Sequence, residues 1–120
     1  MHSSSGDPPP QLSFKAAEEK LAELVKVLLG RAPDFEAAKK EQPDPGTFLW
    51  SWGEGPGLRT FKNFAFRDAD RATVLLAIMQ RDGALGEIEI CRGDGEPVTR
   101  LPPLSELKEI TNPGLITFDD

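Results

Sequence analysis

The pattern of hydrophobic and polar residues changes along the chain from a period near four to a period near two. In the first part, apolar side chains recur at three- and four-residue steps, and charged side chains fill most other positions. Ser13 is a suitable N-cap and Gly30 a suitable C-terminal cap. The pattern therefore predicts an amphipathic helix over residues 14–29. Its apolar stripe consists of Ala17, Leu21, Leu24, Val25 and Leu28.

A second, shorter helix is expected after the first. Asp34 can cap its start, and the segment to Glu41 has few apolar residues, so this helix would lie on the surface. The sequence "PDPG" at 43–46 would end it, because proline lacks an amide donor and restricts the residue before it.

From Thr47 onward, apolar and polar residues alternate, which is typical of strands. Residues 72–80 are almost continuously apolar, which predicts a central strand covered on both faces. Phe48, Trp50 and Trp52 are expected to share one face of their strand, and Phe64 and Phe66 one face of the next. Ile88 and Ile90 are expected to point inward, and Glu87 and Glu89 outward.

Short turns at 68–71 and 81–84 link these strands as an antiparallel meander. The segment "PVTRL" at 97–101 is expected to add a further pairing segment, and "LSELKEI" one or two helical turns. The sequence predicts an α+β fold, in which the N-terminal amphipathic helix packs on an antiparallel β-meander of four to five strands. Residues 1–11 are expected to be a flexible leader and residues 12–120 a single domain.

Composition and net charge restrict the classes of function that are expected. The net charge of −6 disfavours nucleic-acid binding, which requires clustered Lys and Arg. A single cysteine excludes an internal disulfide, and no apolar run reaches the length of a membrane span. A cytoplasmic protein without membrane contact is expected, and the acidic surface permits a basic protein partner.

Glu87 and Glu89 are the first candidates for chemistry, because they point to the same face of a strand. Paired carboxylates can serve acid–base catalysis or hold a hard cation. The spacing of residues 68–79 does not match a calcium loop, and acidic residues alternating with isoleucine are typical of a half-buried strand. We interpret the pair as a solvated face.

Catalytic and metal sites of other kinds lack their residues. Cys91 shares the face of Glu89, but the only histidine, His2, lies in the leader, so neither a Cys–His pair nor a zinc site can form. The "RGD" at 92–94 matches an adhesion tripeptide, which occurs often by chance. No catalytic residue, metal or cofactor is predicted.

Trp50 and Trp52 are the best binding candidates. With Phe61 they can line a pocket or anchor an interface, or they can simply fill the core. Both interpretations stay open at this point.

Residues 63–103 resemble the C-terminal strand unit of certain uncharacterised small bacterial accessory domains, some of which are similar to immunity proteins of toxin systems. An Asp-x-Asp turn leads into an apolar strand, followed by an Asp-Gly hairpin and a run of alternating acidic and apolar residues. Arg71 departs from this pattern, in which Gly is usual, and Cys91 departs from a common aromatic. The residues that carry the resemblance are Asp68, Asp70, Asp82, Leu85, Glu87, Ile88 and Glu89.

The resemblance implies a protein-binding, non-catalytic role. The leading hypothesis is a protein that binds a partner, or its own copy, through an acidic surface or the exposed side of its sheet, with Glu87 and Glu89 as candidate contacts. The alternative is a small apolar-ligand-binding protein or enzyme, with a pocket between helix and sheet lined by Trp50, Trp52 and Phe61.

Overall fold

The computed structural model describes residues 11–111. One helix, α1 (Phe14–Leu29), precedes six strands. The strands are β1 (Lys39–Asp44), β2 (Thr47–Ser51), β3 (Leu58–Arg67), β4 (Thr73–Arg81), β5 (Ala84–Arg92) and β6 (Lys108–Ile110). They form one antiparallel sheet in the order β1-β2-β5-β4-β3-β6. The α+β class and the N-terminal helix are confirmed, while the sheet has six strands rather than four to five.

Helix α1 begins and ends at the predicted caps. The Ser13 hydroxyl accepts a hydrogen bond from the Ala16 amide at 3.0 Å, and Gly30, at φ +83°, donates its amide to the Lys26 carbonyl at 2.9 Å. Four residues of the apolar stripe are buried, and Leu28 is partly buried. The helix therefore packs its apolar stripe on one face of the sheet.

The predicted second helix over 34–41 is wrong. Asp34 does accept the Glu36 amide, at 3.1 Å, but only a 3-10 turn, Phe35–Ala37, follows before β1 begins. Phe35 is buried, whereas every residue of β1 is exposed. A helix there would have had no apolar stripe to hold it, and pairing with β2 satisfies the same backbone groups instead.

Two other segments differ from expectation. Residues 97–101 form no strand; they are irregular, and the Val98 carbonyl accepts the Leu12 amide at 2.8 Å. "LSELKEI" gives a 3-10 turn, Leu104–Glu106, and then β6, which pairs with β3. Most of the leader, residues 1–10, and most of the C-terminal tail, residues 112–120, lie outside the described residues.

Two turns contain residues with positive φ. Asp82 and Gly83 both adopt positive φ, at +54° and +82°, as a tight hairpin between β4 and β5 requires. Arg71, where Gly is usual in the resembling pattern, also has positive φ, at +72°. A positive φ is uncommon for a residue other than Gly.

The two faces of the sheet differ in what covers them. We call the side that contacts α1 the covered face: Phe48, Trp50, Phe66, Val74, Leu76, Ile78, Ile88 and Ile90 lie there, and all are fully or almost fully buried. The opposite side is the open face. The expectation that β4 is covered on both faces is not met within residues 11–111, because its alternate residues Leu75, Ala77 and Met79 stay partly exposed.

Candidate functional site on the open face

The strand register assembles the open face in three rows across the sheet. The middle row runs through Glu41, Leu49, Glu89, Ala77, Asn63 and Ile110. The row on one side holds Lys39, Ser51, Glu87, Met79 and Thr60, and the row on the other side holds Thr47, Cys91, Leu75, Ala65 and Lys108. The face therefore presents apolar side chains at its centre.

These apolar side chains are not part of the hydrophobic core. Leu49, Leu75, Met79 and Ile110 are each partly exposed, and none belongs to the core cluster or packs against it. The short side chain of Ala65 is buried next to Leu75. An apolar patch that the described chain leaves uncovered is typical of a surface that contacts another molecule.

The carboxylates of the face are clustered. Glu87 and Glu89 alternate along β5, and Glu41 lies at the end of the same middle row as Glu89. Partial burial raises the pKa of Glu87, and the negative charges of Glu89 and Glu41 raise it further, against the opposing charge of Arg81. The centre of the open face therefore has an excess of negative charge.

Positive groups lie at the borders of the open face. Lys39 belongs to edge strand β1 and already pairs with Glu41 at 3.1 Å. Lys108 belongs to the opposite edge strand, and Arg67 and Arg81 end β3 and β4. Among the described residues, no Lys or Arg stands in the middle of the face, although Arg81 partly offsets the charge of Glu87 from the border. A cationic partner would therefore meet carboxylates there.

The predicted site residues do not form one site. Trp50 is fully buried on the covered face, and its indole N–H donates to Glu18 Oε2 at 3.0 Å. Glu18 also pairs with Lys40 at 2.8 Å, so a network behind Trp50 joins α1 to β1. Trp50 is a core residue.

Trp52 and Phe61 are partly buried against the same core, on the other side of the sheet from Glu87 and Glu89. The Trp52 indole N–H donates to the Asp34 carbonyl at 2.8 Å, and its ring packs against Phe35 with centroids 5.7 Å apart. Phe61 lies at the irregularity between Thr60 and Lys62 of β3, with the Lys62 ammonium 5.9 Å from its ring. Trp52 borders an open pocket.

A buried ionic cluster at the end of β5 was missed from the sequence. Arg92 is only 6% exposed, on the covered face, and three carboxylates surround it. Its Nη1 donates to Asp68 at 2.9 Å and its Nε to Asp94 at 2.8 Å, and its Nη2 contacts Asp70. The Thr99 amide and hydroxyl both donate to Asp68.

The cluster shifts the ionisation of its members toward the charged forms. Burial by itself would raise the pKa of Asp68, but hydrogen bonds from Thr99, the Ala69 amide and Arg92 outweigh it and lower that pKa. The bonds from Arg92 likewise lower the pKa of Asp70 and of Asp94. The cluster joins the β3–β4 turn, the end of β5 and the chain after it. Of the "RGD" tripeptide, Arg92 is buried in this cluster, whereas Gly93 and Asp94 are exposed.

Cys91 follows the alternation and lies on the open face, partly buried. The Thr47 hydroxyl is 3.8 Å from its Sγ, within hydrogen-bonding distance for sulfur. Arg92, which follows it in sequence, points to the covered face, so the two side chains lie on opposite sides of the sheet.

No group of three or more metal-ligating side chains is found in residues 11–111. Within the same range, no helix is long and apolar enough to cross a membrane. Comparison of the chain with protein-family models, with curated proteins and with solved structures finds no match.

Proposed function

We propose that this protein is a non-catalytic binding domain whose open face docks a basic, amphipathic segment of a partner protein. The observation that carries the proposal is the uncovered apolar centre of the open face, interspersed with the carboxylates of Glu87 and Glu89. An apolar centre supplies contact area, and the carboxylates select a partner of opposite charge. The resemblance of residues 63–103 to accessory domains points the same way.

A helix is the partner element that suits this surface. Helix α1 already lies on the covered face with its apolar stripe inward and its charged residues outward. A second helix on the open face would give the layered arrangement that buries both faces of a sheet. Its apolar stripe would lie over Leu75, Ala77 and Met79, and its flanking Lys or Arg side chains would reach Glu87 and Glu89.

A second copy of this chain is a weaker fit. Two open faces brought together would oppose the carboxylates of one protomer to those of the other, and such like-charge contact is costly. We therefore expect the protein to remain monomeric at neutral pH, as sedimentation velocity would show. If the protein instead forms a dimer at neutral pH and Leu75→Glu disrupts that dimer, the open face binds a second copy of the chain rather than a basic partner.

The direct test uses a synthetic helical peptide of leucine and lysine, with leucines at three- and four-residue spacing. Added to the ¹⁵N-labelled protein at low salt, it should shift the amide signals of β4 and β5 and leave those of α1 nearly unchanged. The same peptide with glutamine in place of lysine should bind more weakly, because it lacks the charges that the carboxylates attract.

Charge-matched variants make the test specific. Glu87→Gln with Glu89→Gln should weaken binding by about three- to tenfold, because each exposed ion pair contributes under about 1 kcal/mol. Glu19→Gln with Glu23→Gln removes the same charge from exposed positions of α1 and should leave binding unchanged. Equal losses in both variants, or shifts centred on α1, would contradict docking on the open face.

A further inference from the structure

A separate pocket lies at the C-terminal end of α1, on the covered side of the molecule. It has a volume of about 390 Å³ and opens to solvent between the helix end, the loop of residues 31–34 and the β4–β5 hairpin. Val25, Leu29, Trp52 and Leu85 provide its apolar walls. Volume and lining fall in the range of small-molecule sites.

Trp52 is held rigidly at this pocket. Its amide donates to the Gly86 carbonyl at 2.9 Å, and its carbonyl accepts from Arg81 at 2.9 Å. The indole N–H donates to the Asp34 carbonyl, and this bond ties the loop of residues 31–34 to the ring. An aromatic wall held at these points is preorganised, so a ligand would lose little free energy in ordering it.

Two opposite charges lie at the rim. Arg31 and Asp34 both line the pocket and are exposed, and neither forms an ion pair within the described part of the chain. Asp34 uses one carboxylate oxygen to accept the Glu36 amide. The C-terminal end of α1 adds partial negative charge on the same side.

This charge arrangement selects the class of ligand. A ligand with one charge would be attracted by one rim residue and repelled by the other, whereas a dipolar ligand is attracted by both. We propose that the pocket binds a small zwitterionic aromatic molecule of the α-amino-acid type, its ring against Trp52, its carboxylate toward Arg31 and its ammonium toward Asp34. This inference is independent of partner docking on the open face.

The experiment uses three probes that share a ring: L-phenylalanine, 2-phenylethylamine, which lacks the carboxylate, and 3-phenylpropionate, which lacks the ammonium. The two indole N–H signals in the NMR spectrum report separately on Trp52, at the pocket, and Trp50, in the core. We expect phenylalanine to shift the Trp52 signal saturably, with a Kd below about 1 mM. Each singly charged analogue should bind at least about threefold more weakly than phenylalanine, since a single exposed charge pair contributes little binding free energy.

Two variants assign the charges. In Arg31→Gln, phenylalanine should no longer bind more tightly than phenylethylamine. In Asp34→Asn, which preserves the capping group, phenylalanine should no longer bind more tightly than phenylpropionate. Lys15→Gln, at the opposite end of α1, is the matched control and should change neither.

Any of three results would refute this ligand class. No probe shifts the Trp52 signal at concentrations up to about 10 mM, all three probes bind with equal affinity, or the Trp50 signal shifts instead of the Trp52 signal. Glu87→Gln with Glu89→Gln should leave phenylalanine binding intact, so this pocket and the open face can be refuted separately.

Discussion

Leu75 and Leu76 are neighbours in β4 and belong to opposite faces of the same sheet. Leu76 is fully buried under α1, in register with Ile90 and Phe64. Leu75 is partly exposed between Cys91 and Ala65, with no described element over it. Folding accounts for the apolar residue on the covered face. It does not account for the one on the open face, which is why the proposed binding surface lies there.

The largest expected effect comes from truncating the two leucines one at a time. Leu76→Ala should lower the free energy of unfolding by about 2–5 kcal/mol, because it leaves a cavity in a packed core. Leu75→Ala should lower it by less than about 1 kcal/mol, because its site is open and water can fill the space. Urea denaturation of both variants measures the difference. Equal losses would mean that the open face is covered in solution.

Much of the covered face could be predicted from the sequence because its signals are local. The helix caps and the alternation that sends Ile88 and Ile90 inward are determined within a few residues. Strand β1 could not be predicted, since its residues are all polar or proline and it becomes a strand only by pairing with β2. Strand β6, of three residues, is defined in the same way by β3.

The candidate site was predicted in part for the same reason. Alternation along β5 places Glu87, Glu89 and Cys91 together, as expected. The apolar run of residues 72–80 predicts that Leu75, Ala77 and Met79 are covered as well, because such a run does not reveal which of its faces another element will cover. The Arg92 cluster was missed because Asp68 lies 24 positions away along the chain and meets Arg92 only through the register of β4 and β5.

A smaller loss of stability is expected from changes in the Arg92 cluster. Arg92 lies at the end of the covered face, in the same row as Val74 and Phe66. Asp68→Asn should lower the free energy of unfolding by about 2 kcal/mol, less than the loss of a sole partner of a buried charge, because Asp70 and Asp94 still contact Arg92. Asp70→Asn changes a carboxylate that is 57% exposed and should cost clearly less. If thermal or urea denaturation ranks the two variants the other way, the burial of Asp68 does not determine the strength of the cluster.

Lowering the pH should change the contributions of the Arg92 cluster and of Glu87 to folding stability in opposite directions. The folded-state pKa values of Asp68, Asp70 and Asp94 are lowered, so their stabilisation is complete above the unfolded value of about 4 and is lost as pH falls through the folded values. The folded-state pKa of Glu87 is raised, so its ionised form opposes folding at neutral pH and protonation relieves that cost as pH falls.

Urea denaturation from about pH 7 to about pH 2 separates these contributions. Relative to the wild type, Asp68→Asn should flatten the loss of stability below about pH 4, and Glu87→Gln should be most stabilising near neutral pH. If Glu87→Gln instead lost stability at neutral pH and regained it in acid, the sign assigned to the open face would be wrong.

The smallest effect is expected from removing the paired carboxylates of the open face. Glu87→Gln with Glu89→Gln should change the free energy of unfolding by less than about 0.5 kcal/mol, toward greater stability, because the substitutions remove like-charge repulsion and leave the packing intact. Calorimetric titration of the wild type with calcium, magnesium and manganese should give no saturable binding, since calcium requires six to eight oxygen ligands and two carboxylates on an open strand supply too few. The variant Glu19→Gln with Glu23→Gln provides the control for the change in net charge. Micromolar metal binding that disappears only in the Glu87 and Glu89 variant would show that the open face is a metal site rather than a docking surface.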